Sequence, residues 1–274
     1  MPPTLPCATS PARGQDHGVQ RVLITGAGGR IGRMLRARMP HPDRELRLLD
    51  RVPVDEPGAI TADIADLDAM IAACEGIDAV VHLGGISGEA DWASIRDANI
   101  EGTYAVFEAS RRAGVRRVVY ASSNHAVGFV HQPDDPDLDM PDDLGPRPDT
   151  YYGVSKVLGE ALGSLYHDRH GLDVVCLRIG TCADEPHDLR GLSTWLSPDD
   201  CARLVEAALA TPSPGFRVVW GVSANTRRVW SLEGGAAIGY VPQDDAEVFA
   251  ARIGPGDPVK DEAGRRFVGG AFTL

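Results

Sequence analysis

A chain of 274 residues and 29.2 kDa, 43% hydrophobic and 24% charged, has the length to bury one full α/β core and the composition of a soluble globular protein. Its net charge of −12 and pI near 5.1 exclude nucleic acid or an anionic membrane as the main partner, because both need a basic footprint. No apolar run approaches the about 20 residues of a membrane-spanning helix, and five cysteines with no CxxC spacing argue against a disulfide framework or a zinc site and for a reducing cytoplasm.

Residues 1–20 are proline-rich and polar with no continuous apolar stretch, which predicts a disordered extension rather than a leader peptide. Arg21 to Thr25 reads as the first strand, followed by glycines and a helix from about Arg30 to Met39. Leu46 to Leu49 is a second strand ending at Asp50, Ala59 to Ala62 a short third and Ala79 to His82 a fourth. Arg117 to Ala121 is a fifth and Asp173 to Leu177 a sixth, with helices near 66–74, 92–113 and 151–169 between them. Short strands, apolar on both faces and alternating with helices, predict an α/β fold with a doubly wound parallel sheet. Residues 129–150 break this rhythm with Asp134, Asp135, Asp137, Asp139, Asp142, Asp143 and five prolines, the pattern of a solvated acidic loop rather than a metal site. Beyond 180 the pattern loosens: helix 198–210, strand Arg217–Trp220, helix 244–252, and a tail from Gly254 expected to be loosely ordered.

The chemistry concentrates after the strands. Gly26, Gly29 and Gly32 follow the first strand directly and open the first helix at Arg30 and Ile31. That spacing gives a tight turn and a bare backbone through which a pyrophosphate can reach the helix N-terminus. Asp50 closes the second strand, where a carboxylate accepts from ribose hydroxyls and repels a 2′-phosphate, so NAD is expected over NADP although Arg51 is adjacent. Asp63 and Ile64 stand where such folds touch the adenine, and Leu83, Gly84, Gly85, Ile86 and Ser87 form the loop after the fourth strand. Tyr152 and Lys156 lie at i and i+4 in a chain with only two lysines. One helical turn apart, an ammonium favours the phenolate, and a phenolate can take a proton from an alcohol while hydride leaves the same carbon. These readings divide the chain into a dinucleotide-binding region 21–180, a small substrate-binding region 181–253 and the tail 254–274.

TGAGGRIG, the acid after the second strand, SSN after the fifth and YGVSK together resemble the extended short-chain dehydrogenase/reductase superfamily over residues 21–253. More narrowly, LGGIS (83–87), ASSNHAVGF (121–129), YYGVSK (151–156), LRIGTC (177–182), RGLSTWLSPDD (190–200) and VVWGVSAN (218–225) resemble the uronate dehydrogenases. The resemblance implies NAD-dependent oxidation of the anomeric carbon of a hexuronate to an aldaro-lactone. It implies Tyr152, Lys156 and Ser123 as catalytic residues, Tyr152, Lys156 and Ile179 in the cofactor site, and Ser87, Ser123, Asn124, His125, Thr181 and Arg190 around the sugar. Thr181 stands where that family commonly has Ser. For Arg190 alone a surface salt bridge to Asp184 or Asp188 would be favoured; the resemblance makes it the cation for the sugar carboxylate. Phe249 resembles the family's C-terminal aromatic over the sugar, with core packing as the competing reading. A homo-oligomer is also implied.

Two other functions use the same residues. A nucleotide-sugar epimerase or dehydratase shares the Tyr–Lys pair, but about 90 residues after the sixth strand leave little room for a nucleotide-binding lobe. A non-catalytic NAD-binding redox sensor has no need of Ser123, Tyr152 and Lys156 together.

Overall fold

The computed structural model describes residues 20–133 and 139–274; the N-terminal extension, and Asp134, Asp135 and Asp137 of the acidic segment, lie outside the described residues. The main sheet runs in the order β3-β2-β1-β4-β5-β6-β9, all parallel. Its strands are β1 (Gln20–Thr25), β2 (Arg44–Asp50), β3 (Ile60–Thr61), β4 (Ala79–His82), β5 (Arg117–Ser123), β6 (Asp173–Ile179) and β9 (Phe216–Gly221). A separate two-stranded pair joins β7 (Thr181–Cys182) to β8 (Trp195–Leu196). The helices are α1 (Arg30–Arg38), α2 (Leu67–Cys74), α3 (Trp92–Ile95), α4 (Gly102–Ala113), α5 (Tyr151–His170), α6 (Gly191–Thr194), α7 (Pro198–Ala210), α8 (Glu233–Ala237) and α9 (Pro258–Arg266).

Strand alternation builds two cores. Val22 and Ile24, Ala79 and Val81, Val119 and Ala121, and Val175 and Leu177 pack with Met34 and Leu35 of α1 and Leu204 and Val205 of α7. The intervening Leu23, Val80, Val118, Tyr120, Val174 and Cys176 face the other way, onto Met70 of α2, Phe107 of α4 and Tyr166 of α5. Burial on both faces explains why these strands are nearly continuously apolar. After β1 the chain winds through β2 and β3, then crosses to β4 on the other side of β1. The sheet therefore opens a crevice at the carboxyl ends of β1 and β4, where such folds take ligands.

Three expectations need correction. The helix expected over 92–113 is broken by a π turn at Arg96–Glu101, whose extra residue per turn re-aims Asn99. The acidic segment is more than a solvated loop: the Asp142 carboxylate accepts from Trp220 N (2.7 Å) and Gly234 N (3.1 Å), and Met140 is buried. Burial holds the Asp142 pKa above its ordinary value. The tail from Gly254 is ordered. Asp257 caps α9 by accepting from Val259 N at 2.9 Å, Pro258 opens the helix, and Val268 is buried with Val127, Met140, Trp220 and Trp230.

His82 on β4 is buried, with Nδ1 2.8 Å from Thr25 Oγ1 and Nε2 3.2 Å from Thr103 Oγ1. Burial, helped by the Lys156 charge, pulls its pKa from 6.5 down to about 3. Between those values the unfolded chain binds more protons than the folded one. The stabilisation is therefore complete above pH 6.5 and is lost as pH falls towards 3. Melting curves should show Tm falling on acidification more steeply in the native protein than in His82→Gln.

Candidate active site

The loop after β1 is shaped by contacts that only glycine permits. Gly26 has φ +71, and a Cβ there would lie 2.8 Å from Gly84 N; a Cβ at Gly32 would overlap the Gly26 carbonyl. Helix α1 starts at Gly29 with no side-chain cap and no acid in its first turn, so the N–H groups there remain free for an anion. Asp50 Oδ2 accepts from Gly28 N at 2.9 Å and Oδ1 from Val52 N at 3.1 Å, which fixes the carboxylate beside the loop. Ile64 packs beneath Gly84, while Asp63 is exposed and accepts from Ala65 N. A bare anion-binding turn with a fixed acid at the end of β2 fits a dinucleotide.

On the opposite wall, Thr150 caps α5 through Gly153 N at 3.0 Å, which sets Tyr152 in the first turn. The Ser123 hydroxyl at the end of β5 stands beside the Tyr152 phenol. Lys156, one turn on, donates to Ala121 O at 2.8 Å, and its Nζ lies 5.4 Å from the Tyr152 ring centroid. Burial pushes the Tyr152 phenol up to about 12; the Ser123 hydrogen bond pulls the other way and the Asp149 charge adds to the rise. Burial pulls Lys156 down to about 8 against the attraction of Glu160. The expected phenolate-favouring effect of Lys156 is thus outweighed in the protein alone, because both groups are desolvated together.

The sugar-side candidates converge from three directions. Asn124 Nδ2 donates to Val268 O at 3.0 Å, and Arg190 Nη2 donates to the same oxygen at 2.6 Å. Arg190 is half-buried, and its Nε is buried with no hydrogen-bond partner among the described residues. Burial lowers its pKa, opposed by Asp188 and Asp149. The surface ion pair with Asp184 or Asp188 is not formed; Asp188 Oδ1 instead accepts from Gly191 N at 2.7 Å. His125 Nδ1 lies 2.7 Å from Asp149 Oδ2. The Thr181 hydroxyl is engaged with Thr194 Oγ1 at 3.0 Å, and Ser87 is exposed on its loop.

Phe249 packs edge to face on Trp195 (5.4 Å between centroids) in a cluster with Leu192 and Ala246. The C-terminal aromatic at the site is Phe272, whose ring lies 4.2 Å from that of His125. The two phenylalanines are indistinguishable by residue type; only the docking of the tail brings Phe272, and not Phe249, against His125.

Three further residues escaped the sequence. Asn99 donates to Ser155 Oγ (3.1 Å) and brackets Ile86, accepting from its N–H at 2.7 Å and donating to its carbonyl at 3.0 Å. Glu89 accepts from the backbone N–H of Tyr152 at 2.9 Å and of Tyr151 at 3.3 Å, tying the Ser87 loop to the start of α5. Asp149 is the third.

Residues 22–185 match the model of the NAD dependent epimerase/dehydratase family. The chain is 41% identical to a uronate dehydrogenase of Pseudomonas putida over 93% of its own length and 96% of that protein. It is 39% identical to an NAD-dependent glucose-6-phosphate dehydrogenase of Haloferax volcanii, covering 89% and 99%. A uronate dehydrogenase variant from Agrobacterium tumefaciens, solved in complex with NAD, superposes with a TM-score of 0.85 at 41% identity over 93% and 97% of the two chains. The glycine turn, the Tyr–Lys helix and these likenesses along nearly the whole sequence place the chain in the NAD dependent epimerase/dehydratase family, among its uronate dehydrogenases.

Proposed function

We propose that this protein oxidises C1 of a hexuronate, such as galacturonate or glucuronate, with NAD to the corresponding aldaro-lactone. One observation carries the reading: Tyr152, with the Ser123 hydroxyl beside its phenol, and Arg190, a cation whose buried Nε has no partner among the described residues, share one edge of the sheet, bridged by Asn124 and Val268. A hexuronate needs both, a base for the C1 hydroxyl and a cation for the carboxylate.

Tyr152 takes the C1 hydroxyl proton, Ser123 hydrogen-bonds the same oxygen as it becomes a carbonyl, and Lys156 offsets the charge left on the phenol. Arg190 holds the carboxylate while Ser87, Asn124 and His125 meet ring hydroxyls; Thr181 lines the same edge. NAD, when bound, would supply the acceptor for the C1 hydride and a positive ring that would favour the phenolate. Gly26, Gly29, Arg30, Ile31 and Gly32 hold its pyrophosphate and Asp50 its ribose. Asp63 and Ile64 lie on the adenine side, with Leu83, Gly84, Gly85, Ile86, Ile179 and Lys156 towards the other end.

The test is NADH absorbance with NAD and, separately, galacturonate, glucuronate, glucose 6-phosphate and UDP-glucose. NADH formation with a uronate is the expected result. Turnover of glucose 6-phosphate alone would move the substrate to a sugar phosphate, and UDP-glucose epimerised without net NADH would establish the epimerase. In the same assay Glu89→Ala should lower kcat/KM about fivefold, because the start of the Tyr152 helix loses a charged acceptor worth about 1 kcal/mol. Tm should fall by only about 2–4 °C, the shift that such a loss brings in a chain of this size.

A homo-oligomer and a cytoplasmic setting belong to the same proposal. Trp92 and Tyr151 pack edge to face at 5.5 Å while exposed, and Tyr104 and Leu165 extend that apolar surface along α4 and α5. Cys74, Cys176, Cys182 and Cys201 are free and buried, as suits a reducing compartment. No helix among the described residues is long and apolar enough to cross a membrane.

A further inference from the structure

Asp149 has no part in the chemistry above, yet it is the most constrained acid near the site. Its side chain is 0% exposed, against 12% for His125. Oδ2 meets His125 Nδ1 at 2.7 Å and Oδ1 accepts from Thr150 Oγ1 at 3.0 Å. Two glycines from distant parts of the chain make room for it: a Cβ at Gly128 or at Gly269 would overlap the carboxylate. The His125 ring is held on two further sides, by Phe272 at 4.2 Å and by the edge-to-face contact with Tyr152 at 5.8 Å. Its Nε2 has no hydrogen-bond partner among the described residues, so the ring is oriented completely while one nitrogen stays open.

A carboxylate with no proton to give can only accept from Nδ1, and a neutral imidazole with its proton on Nδ1 presents Nε2 as an acceptor. We propose that Asp149 is a positioning residue for sugar recognition: it fixes the Nδ1–H tautomer of His125, so that Nε2 accepts a hydrogen bond from a ring hydroxyl of the hexuronate. The inference rests on the functional reading above and extends it. Arg190 can only donate, Asn124 has its Nδ2 on Val268 O, and the Ser and Thr hydroxyls can turn either way; His125, so fixed, supplies an acceptor of one set polarity. Asp149 also bears on Tyr152 and Arg190 through its charge, so the test must separate the three routes.

The first measurement is ¹⁵N-histidine NMR of the full-length protein, with His125→Phe identifying the signal. A protonated Nδ1 and a bare Nε2 are expected, and the opposite tautomer would overturn the proposal. This readout does not depend on turnover, whereas absence of NADH formation with any uronate would strike the functional reading itself. The second is a kinetic cycle of Asp149→Asn, His125→Phe and the double variant on galacturonate. An Asn can present either its oxygen or its amide to Nδ1, so the tautomer is no longer dictated. Asp149→Asn should raise KM for galacturonate about tenfold, with kcat and KM for NAD within about twofold of native, as for loss of one hydrogen bond to substrate. In the His125→Phe background the same substitution should add nothing, and equal effects in both backgrounds, or a loss confined to kcat, would show that Asp149 acts through Arg190 or Tyr152 instead. If Asp149→Asn does not fold, as judged by its melting curve, the native tautomer decides.

Discussion

Tyr152→Phe lowers kcat on galacturonate by about 10³-fold and leaves the affinity for NAD within about twofold of native. The substitution removes one hydroxyl and little else. The ring keeps its edge contact with His125 and its place near Lys156 Nζ, and Glu89 still caps the backbone N–H of residue 152. What goes is the oxygen that takes the C1 proton, with the Ser123 hydroxyl beside it. With that phenol pushed up to about 12 by burial, the protein alone holds it protonated at neutral pH, and the positive ring of a bound NAD would lower that pKa. NADH formation gives kcat, and calorimetric titration with NAD gives the affinity. Turnover near the native rate would move the proton acceptor elsewhere, and His125 would be the first group to examine.

Arg190→Met lowers kcat/KM on galacturonate by about 10²–10³-fold, because truncating one partner of a desolvated charge pair leaves the other unpaired. On galactose, which has the same ring without the carboxylate, the change should stay below about threefold. The ratio of the two losses is the informative quantity, since Arg190 also anchors the tail through Val268 O and a general disturbance would lower both. Arg190→Lys should recover only part of the loss, because a single ammonium does not reproduce the planar fork that reaches Val268 O and a carboxylate together. Equal losses on both sugars would remove the carboxylate from the reading.

The sheet was legible because the central strands are short apolar runs with glycine, acid or serine at or within two residues of their ends, and the ligand-bearing loops follow those ends directly. Gly26, Asp50, Ser123 and Tyr152 all fall within a few residues of a strand end or helix start, where one-dimensional pattern and three-dimensional position coincide. Asn99 was not legible, because a π turn inside a helix leaves no periodic mark and shifts the facing side chain by one residue. Glu89 and Asp149 act through partners 63 and 24 residues away, and nothing in composition announces such pairs. The tail misled because glycine and charge in 254–274 read as disorder, whereas buried Ala263 and Val268, and the side chains of Asn124, Gln132 and Arg190 reaching across more than 70 residues, hold it down.

The acceptor that orients Arg190 and Asn124 is a main-chain carbonyl, not a side chain. A carbonyl dipole aims a guanidinium without neutralising it, so the full charge is left for a ligand. It is also indifferent to the identity of residue 268, since any apolar side chain that fills the same cluster supplies the same oxygen. The tolerance to drift at this position should therefore be wide, and the intolerance should sit at its neighbours. Gly269 and Gly270 let the main chain pass against Asp149 and Arg190, and a methyl group at either would displace the carbonyl that does the aiming.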